Sequence, residues 1–233
     1  MTVFASIRED FASVLERDPA IKSKAELFFN YPGLWAVFWY RIANALHKKG
    51  YPVFARIIMG LQQLLTNMDI HPAATIGRRV FIDHGIGVVV GETAIVGDDV
   101  TIYQGVTLGG VSLSKGKRHP TIEACVVIGS GAKVLGNITV GANSKVGANS
   151  VVIKDVPPDS TAVGIPARVI KKGVDKNPLS HDKLPNIDNE IFAYLIKRMA
   201  ALEKIIQQTN PEIIIEDQDL EATYSDFIQS LKK

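Results

Sequence analysis

Apolar positions in the first 68 residues recur at helical spacing, in Phe4, Ile7, Phe11, Val14 and Leu15 and again from Leu34 through Leu46, which predicts a helical segment. Turn signals divide it. Asp18-Pro19 reads as a helix start, Tyr31-Pro32-Gly33 as a break, and Lys49-Gly50-Tyr51-Pro52 as a second break before a helix over 53–65. The aromatic residues of this stretch, Phe28, Phe29, Trp35, Phe38, Trp39 and Tyr40, suit helix packing or a subunit interface.

From Ile70 the texture changes to short β-branched runs punctuated by glycine, with a period of six. An aliphatic residue followed by glycine recurs at Ile76-Gly77, Val90-Gly91, Val96-Gly97, Leu108-Gly109, Ile128-Gly129, Val140-Gly141 and Val146-Gly147, and Ile102, Ile122, Val134 and Val152 fill the intervening beats. Four residues after these beats stand small or branched side chains, among them Val80, Ala94, Val100, Val106, Val126, Ala132, Ser144 and Ser150. This hexapeptide period is that of a parallel β-helix: three hexads close one triangular coil and residues about 18 apart stack into aliphatic columns. The aliphatic beat is expected to face the axis, and the following glycine to allow a bend at the corner.

The period breaks twice. The gap between beats is eight residues from 82 to 90 and fourteen from 108 to 122, and the two breaks enclose Asp83-His84-Gly85-Ile86-Gly87 and Ser114-Lys115-Gly116-Lys117-Arg118-His119-Pro120. Departures from regularity are expected where function overrides folding economy. After Val152 the pattern fades through Val156-Pro157-Pro158 and Gly164-Ile165-Pro166-Ala167-Arg168, read as a cap on the open coil end. The organisation is therefore α+β: helical domain 1–68, β-helix 69–172, and a segment 173–233. That last segment comprises a polar linker to 185, an amphipathic helix over 186–208 striped with Ile187, Ile191, Leu195, Met199, Leu202 and Ile206, and a tail.

Composition narrows the classes. With 46% hydrophobic and 21% charged residues in 233, the chain is expected to fold. A net charge of +2 singles out neither nucleic acid nor a membrane surface, and no apolar run approaches the roughly 20 residues that span a bilayer. A single cysteine, Cys125, permits no intramolecular disulfide and fits a reducing compartment. Its apolar neighbours Val126-Val127-Ile128 suggest a small core residue. The cytoplasm is the expected location.

Asp69-Ile70-His71-Pro72, Ile82-Asp83-His84-Gly85, Val88 through Thr93, Val106-Thr107-Leu108-Gly109-Gly110, Arg118-His119-Pro120 and Arg17-Asp18-Pro19-Ala20 together resemble the serine acetyltransferase family over about residues 15–172. The resemblance implies a left-handed coil and transfer of acetyl from acetyl-CoA to the hydroxyl of L-serine, the first step of cysteine biosynthesis from serine. Such chemistry needs a base for the hydroxyl proton, and imidazole, titrating near pH 6.5, is suited to it. His84 is the candidate. A carboxylate that fixes its tautomer improves the base, and the family gives that role to the residue matching Asp69. Asp83 and Asp18 match residues serving the substrate's ammonium, Arg118 offers a two-pronged donor for its carboxylate, and His119 matches a second substrate contact. Glu92 either orients Arg118 or is a solvent-facing turn carboxylate. For acetyl-CoA the resemblance implies a slot between β-helices of a trimer, past Gly110 and the Ser130-Gly131 turn, with Lys145, Arg168, Lys171 and Lys172 as possible phosphate partners.

The resemblance also implies a homotrimer, with a hexamer of two trimers open, and feedback inhibition by L-cysteine through the same clamp. It implies no permanently bound cofactor and no metal. The terminal Ser230-Leu231-Lys232-Lys233 lacks the isoleucine by which some members dock into O-acetylserine sulfhydrylase, so that complex is not expected. Three other readings compete. One is a superfamily acyltransferase acting on a sugar or antibiotic hydroxyl, another is a zinc carbonic anhydrase using His71, His84 and His119, and the third is a non-enzymatic scaffold whose C-terminal helix recruits a partner.

Overall fold

The computed structural model describes residues 3–18, 20–23, 25–170 and 187–209. The chain divides into two compact units, Met1–Leu184 and Pro185–Lys233. The first opens with helices α1 (Val3–Arg17), α2 (Glu26–Phe29), α3 (Pro32–Lys48) and α4 (Pro52–Thr66). Prolines at the first turns of α3 and α4 lose only an amide that has no helical partner there, so the two predicted breaks fall where helices begin. The helix start read at Asp18-Pro19 is a correction: α1 ends at Arg17, just before Asp18. The residue before a proline is disfavoured in helical geometry, and Asp18 Oδ1 accepts the Ala20 N–H at 2.8 Å.

The remainder of this unit is a parallel β-helix of three sheets. The first sheet runs β1 (Asp69–Ile70), β4 (Val89–Val90), β7 (Thr107–Gly109), β10 (Lys133–Leu135) and β13 (Val151–Val152). The second runs β2 (Thr75–Ile76), β5 (Ile95–Val96), β8 (Thr121–Ile122) and β11 (Thr139–Val140). The third runs β3 (Phe81–Ile82), β6 (Thr101–Ile102), β9 (Val127–Ile128), β12 (Lys145–Val146) and β14 (Thr161–Gly164), and β15 (Ala167–Ile170) closes it as an antiparallel hairpin with β14. The hairpin is the cap read from the fading period.

The register records the two breaks. Thr121 pairs with Thr139, a regular step, whereas Thr75 pairs with Ile95 and Ile95 with Thr121. The extra residues are extruded at corners, so the beats stay aligned. All the beat aliphatics are buried, and so are Val80, Ala94, Val100, Val106, Val126, Ala132, Ser144 and Ser150 four positions on, as expected.

The corner geometry corrects the role of the beat glycines. The left-handed conformation falls three residues after the beat, at Arg79, Asp99, Cys125, Asn143, Asn149 and Asp159 and at Gly85, Gly105 and Gly131. The beat glycine is instead needed for close stacking: a Cβ on Gly77 would lie 2.6 Å from the carbonyl carbon of Gly97, and one on Gly141 would lie 2.4 Å from the nitrogen of Pro158. Cys125 is likewise corrected from a core residue to an exposed corner residue at φ 60°, because Val126 takes the inward position.

Helix α3 covers the exposed edge of the first coil. The Tyr40 hydroxyl donates to Ala74 O at 2.6 Å and accepts the Ile76 N–H at 3.0 Å, Asn44 donates to Pro72 O, and Arg41 donates to Ile76 O and Gly77 O. Edge groups of β2 that would otherwise be open to strand addition are thus paired. Arg41 also binds the buried Asp10 of α1 at 3.0 Å, and Arg17 and Arg79 both bind Asp99, so α1 is tied to the coil. In the second unit, α5 (Ile187–Thr209) matches the predicted amphipathic helix. The predicted linker, Lys171, Lys172 and the tail lie outside the described residues. Among the described residues no helix is long and apolar enough to cross a membrane.

Gly97→Ala places a methyl 2.8 Å from the Ala124 nitrogen and the Glu123 carbonyl carbon. That backbone yields only if a coil shifts, so stability should fall by about 1–3 kcal/mol. Cys125→Gly relieves left-handed strain at some cost in unfolded-chain entropy and should be neutral or stabilising within about 1 kcal/mol. Urea midpoints for the two variants test the two roles.

Candidate active site

The eight-residue break folds as a tight corner between β3 and β4. His84 holds φ 59° there with an exposed side chain. Its Nε2 lies 3.9 Å from Asp83 Oδ1, too far for a hydrogen bond. Asp69 stands at the head of the first sheet, its N–H bonded to Val88 O and its register partner Val89, so the strand bearing it neighbours the one that leaves the His84 corner. Below His84 the same corner continues through Gly87, Gly105 and Gly131. These lie close enough that a Cβ on Gly87 would be 3.7 Å from Gly105 Cα, and one on Gly105 3.4 Å from Gly131 Cα. Backbone bonds from Gly105 N–H to Ile86 O and from Gly131 N–H to Gln104 O, both 2.8 Å, hold the stack. The result is a strip of glycines that begins beside His84 and reaches the predicted Ser130-Gly131 turn, met by the Lys133 ammonium at Gly105 O and by the Asn149 side chain at Gly131.

The ammonium candidates come together. The Tyr31 hydroxyl donates to Asp18 Oδ2 at 2.5 Å. Burial raises the ionisation of Tyr31, and Asp18, Asp83 and Glu26 raise it further; Tyr103 is raised by burial, then by Asp83 and Asp18. Two carboxylates distant in sequence therefore share one neighbourhood with two tyrosines. Local packing explains the meeting: Gly33, at the start of α3, lies so close to β3 that a Cβ on it would sit 2.0 Å from Ile82 O, which brings Tyr31 alongside Asp83. Neither tyrosine was singled out for this site from sequence, where Tyr31 reads only as part of a turn.

Arg118 and His119 sit at another corner, beyond β7. Residues 111–116 are exposed, but the end of the loop folds back against the turn after β4. Arg118 Nη2 donates to Glu92 Oε2, which holds the Glu92 carboxyl below its ordinary value, so Glu92 orients the guanidinium. The Thr93 hydroxyl accepts the N–H groups of Arg118 and His119 at 3.0 and 3.1 Å. Lys117, unassigned from sequence, donates from Nζ to Thr93 O, His119 O and Pro120 O and fixes the fold-back. His119 is buried over Gly91 and Gly110, where a Cβ would lie 2.1 and 3.2 Å from its Nε2. Its Nδ1 accepts the Thr93 N–H at 3.2 Å, so in the neutral ring the proton is on Nε2, which becomes a donor.

The remaining cofactor candidates are less gathered. Gly110 is exposed at the end of β7, Ser130 and Gly131 share the glycine corner, and Arg168 lies on β15. Lys145 is buried on β12, so it is no ordinary surface charge. Among the described residues no three His, Cys, Asp or Glu side chains converge as a metal site requires.

A coil of hexads with a histidine corner, a glycine strip and a basic loop defines a hexapeptide transferase. The profile described as bacterial transferase hexapeptide (six repeats) matches residues 119–154. A serine acetyltransferase from Synechococcus elongatus is 48% identical over 209 residues, 89% of this chain and 86% of that protein. Among solved structures, a serine acetyltransferase in complex with cysteine aligns with TM-score 0.74 at 38% identity, covering 78% of this chain and 72% of that one. A serine acetyltransferase in complex with CoA aligns with TM-score 0.67 at 40% identity, covering 72% and 69%. The chain belongs to the serine acetyltransferase family; it is an acyltransferase built on that family's left-handed parallel β-helix.

His71 and His119 are both held below the ordinary histidine value, first by burial and then by Arg56 and Arg118 respectively. The unfolded chain therefore takes up these protons near pH 6.5, roughly, and the folded protein only at lower pH. In that window the unfolded state binds more protons, so stability falls as pH drops below about 6.5. Urea titrations on either side of that pH should show the loss, and His119→Gln should reduce it; an unchanged slope would place the proton uptake elsewhere.

Proposed function

We propose that the chain transfers acetyl from acetyl-CoA to the hydroxyl of L-serine, giving O-acetyl-L-serine and CoA, with the groups divided between two half-sites. What carries this reading is Tyr31, bonded to Asp18 and set by the contact of Gly33 with Ile82 next to Asp83, so that both carboxylates act on the one phenol. Two carboxylates suit an ammonium, and a protonated amine cannot compete with the hydroxyl as a nucleophile. A sugar-acetylating enzyme has no use for that pair together with Arg118. The substrate carboxylate falls to Arg118 and to the Nε2–H of His119, charge-assisted bonds worth about 1.5–3 kcal/mol each.

His84 takes the hydroxyl proton as the serine oxygen attacks the thioester carbonyl, and Asp69 steadies the imidazolium. Collapse of the tetrahedral adduct expels the CoA thiolate, which recovers the proton from His84. The pantetheine arm lies along the glycine strip past Gly105, Ser130 and Gly131, with Gly110 beside the reacting end and Lys145 towards the phosphates.

The base and the carboxylate clamp occupy opposite ends of β4. From Gly87 to Gly91 is about 13 Å of extended chain, too long for one serine to touch both. Symmetric copies that set one chain's His84 corner against a neighbour's Arg118 loop complete the site, and three such contacts close a trimer. L-Cysteine carries the same ammonium and carboxylate and so competes for the clamp. No cofactor beyond acetyl-CoA is needed, and the lone cysteine suits the cytoplasm.

With L-serine, D-serine, L-homoserine, a galactoside and no acceptor offered, rapid CoA release is expected only with L-serine. His84→Ala should lower kcat by about 10²- to 10⁴-fold. A reactive galactoside with inert serine would overturn the reading. Mixed refolding of His84→Ala with Arg118→Ala chains should restore up to about a quarter of wild-type activity if sites are shared between copies, and none if each chain holds its own.

A further inference from the structure

Tyr31 stands at the N-cap position of α3 yet makes no side-chain bond to that helix. Its hydroxyl is spent on Asp18 Oδ2 at 2.5 Å, while Asp18 Oδ1 accepts the Ala20 N–H at 2.8 Å. With one donor on each oxygen, the carboxylate plane is fixed. Nothing in the turn after α1 would do this alone, since the Ala20 amide fixes only one oxygen and leaves the group free to swing about that bond. The position of Tyr31 is itself set by hard contact: Gly33 abuts the Ile82 backbone, and Asp83, the next residue, is pinned through its N–H to Ile102 O at 2.9 Å. The phenol thus stands between the helical segment and the coil, bonded to Asp18 and beside the strand end that carries Asp83.

We infer that Tyr31 is a positioning residue for recognition of the substrate's ammonium group, holding the Asp18 carboxylate in the orientation in which it and Asp83 together face that charge. The inference rests on the serine reading above and adds the residue that makes the aspartate pair selective. Tyr31 stays a neutral donor throughout the working range, because burial and the surrounding carboxylates raise its ionisation well above that of ordinary tyrosine. A neutral donor holds the Asp18 carboxylate in place without adding a competing anion or cation. The consequence is discrimination between a β-hydroxy-α-amino acid and the same acid without its amine.

The test compares L-serine with 3-hydroxypropanoate, which keeps the hydroxyl and carboxylate and lacks the ammonium, in the full-length enzyme. Tyr31→Phe, which removes one oxygen, should lower kcat/KM for L-serine about tenfold to a hundredfold, the loss of one charge-assisted hydrogen bond. The loss should appear in the serine KM. The kcat/KM for 3-hydroxypropanoate and the KM for acetyl-CoA should not change. In an Asp18→Asn background the same substitution should add nothing further, since the two residues act as one unit. Tyr31→Leu serves the same comparison if the Phe variant does not fold. Equal losses on both acceptors, additive losses in the double variant, or unchanged serine kinetics would each overturn the assignment. A wild type that uses L-serine while Tyr31→Phe is unimpaired rejects Tyr31 alone; a wild type that ignores L-serine rejects the serine reading and this inference with it.

Discussion

The structure depends on one constraint: coils must stack at strand spacing, about 4.8 Å, around an axis filled by aliphatic side chains. A single two-residue strand buries little, so stability resides in the columns formed by Ile76, Val96, Ile122 and Val140 and their counterparts on the other two sheets. Close stacking leaves no room for a Cβ where one corner lies on the next, which is why Gly77, Gly97, Gly129 and Gly141 recur immediately after the beats. Glycine here answers to the neighbouring coil more than to its own dihedral angles.

The same constraint decides where chemistry can be placed. A strand residue facing inward is committed to the core, and an insertion within a strand would rotate every later side chain. Extra residues can be added only at corners, and both insertions carry the candidate chemistry: His84 in one, Arg118 and His119 in the other. The long loop would be a poor platform if it were solvated throughout. Its functional end is rigid because Lys117 gathers three carbonyl oxygens, the Thr93 hydroxyl accepts two amides, and Glu92 holds the guanidinium. The half-buried ammonium of Lys117 is held below the ordinary lysine value by desolvation, a cost that the three carbonyl contacts offset.

What could be read from sequence follows from which interactions are periodic. The beats, the two interruptions and the breaks at Pro32 and Pro52 are local patterns, and each was legible. The partnership of Arg118 with Glu92 was legible as one of two options, since the hexads put both near one corner without fixing a side-chain direction. Cys125 was misread because an apolar run does not reveal which of its residues faces the axis; phase from the preceding beat, Ile122, marks the third position as the turn. Asp18-Pro19 was misread because a proline after a polar residue marks either end of a helix. Tyr31, Tyr103, Thr93 and Lys117 left no periodic trace. Their roles arise from contacts between segments far apart in sequence.

These long-range contacts give the helical segment a purpose beyond covering an edge. Under the proposed function, an all-β coil offers the substrate a histidine and a basic loop, sufficient for an anion bearing a hydroxyl. It lacks a place for a cation, because outward carboxylates on a corner would be solvated and mobile. Docking α3 against β3 through Gly33 brings Tyr31 and Asp18 to Asp83, and the ties from Arg41 to Asp10 and from Arg17 to Asp99 hold α1, whose C-terminal end leads into Asp18, against the coil. The contacts that seal the open end of the β-helix therefore also bring Asp18 towards Asp83, and under the proposed function selectivity for an amino acid is built into the joint between the helical segment and the coil.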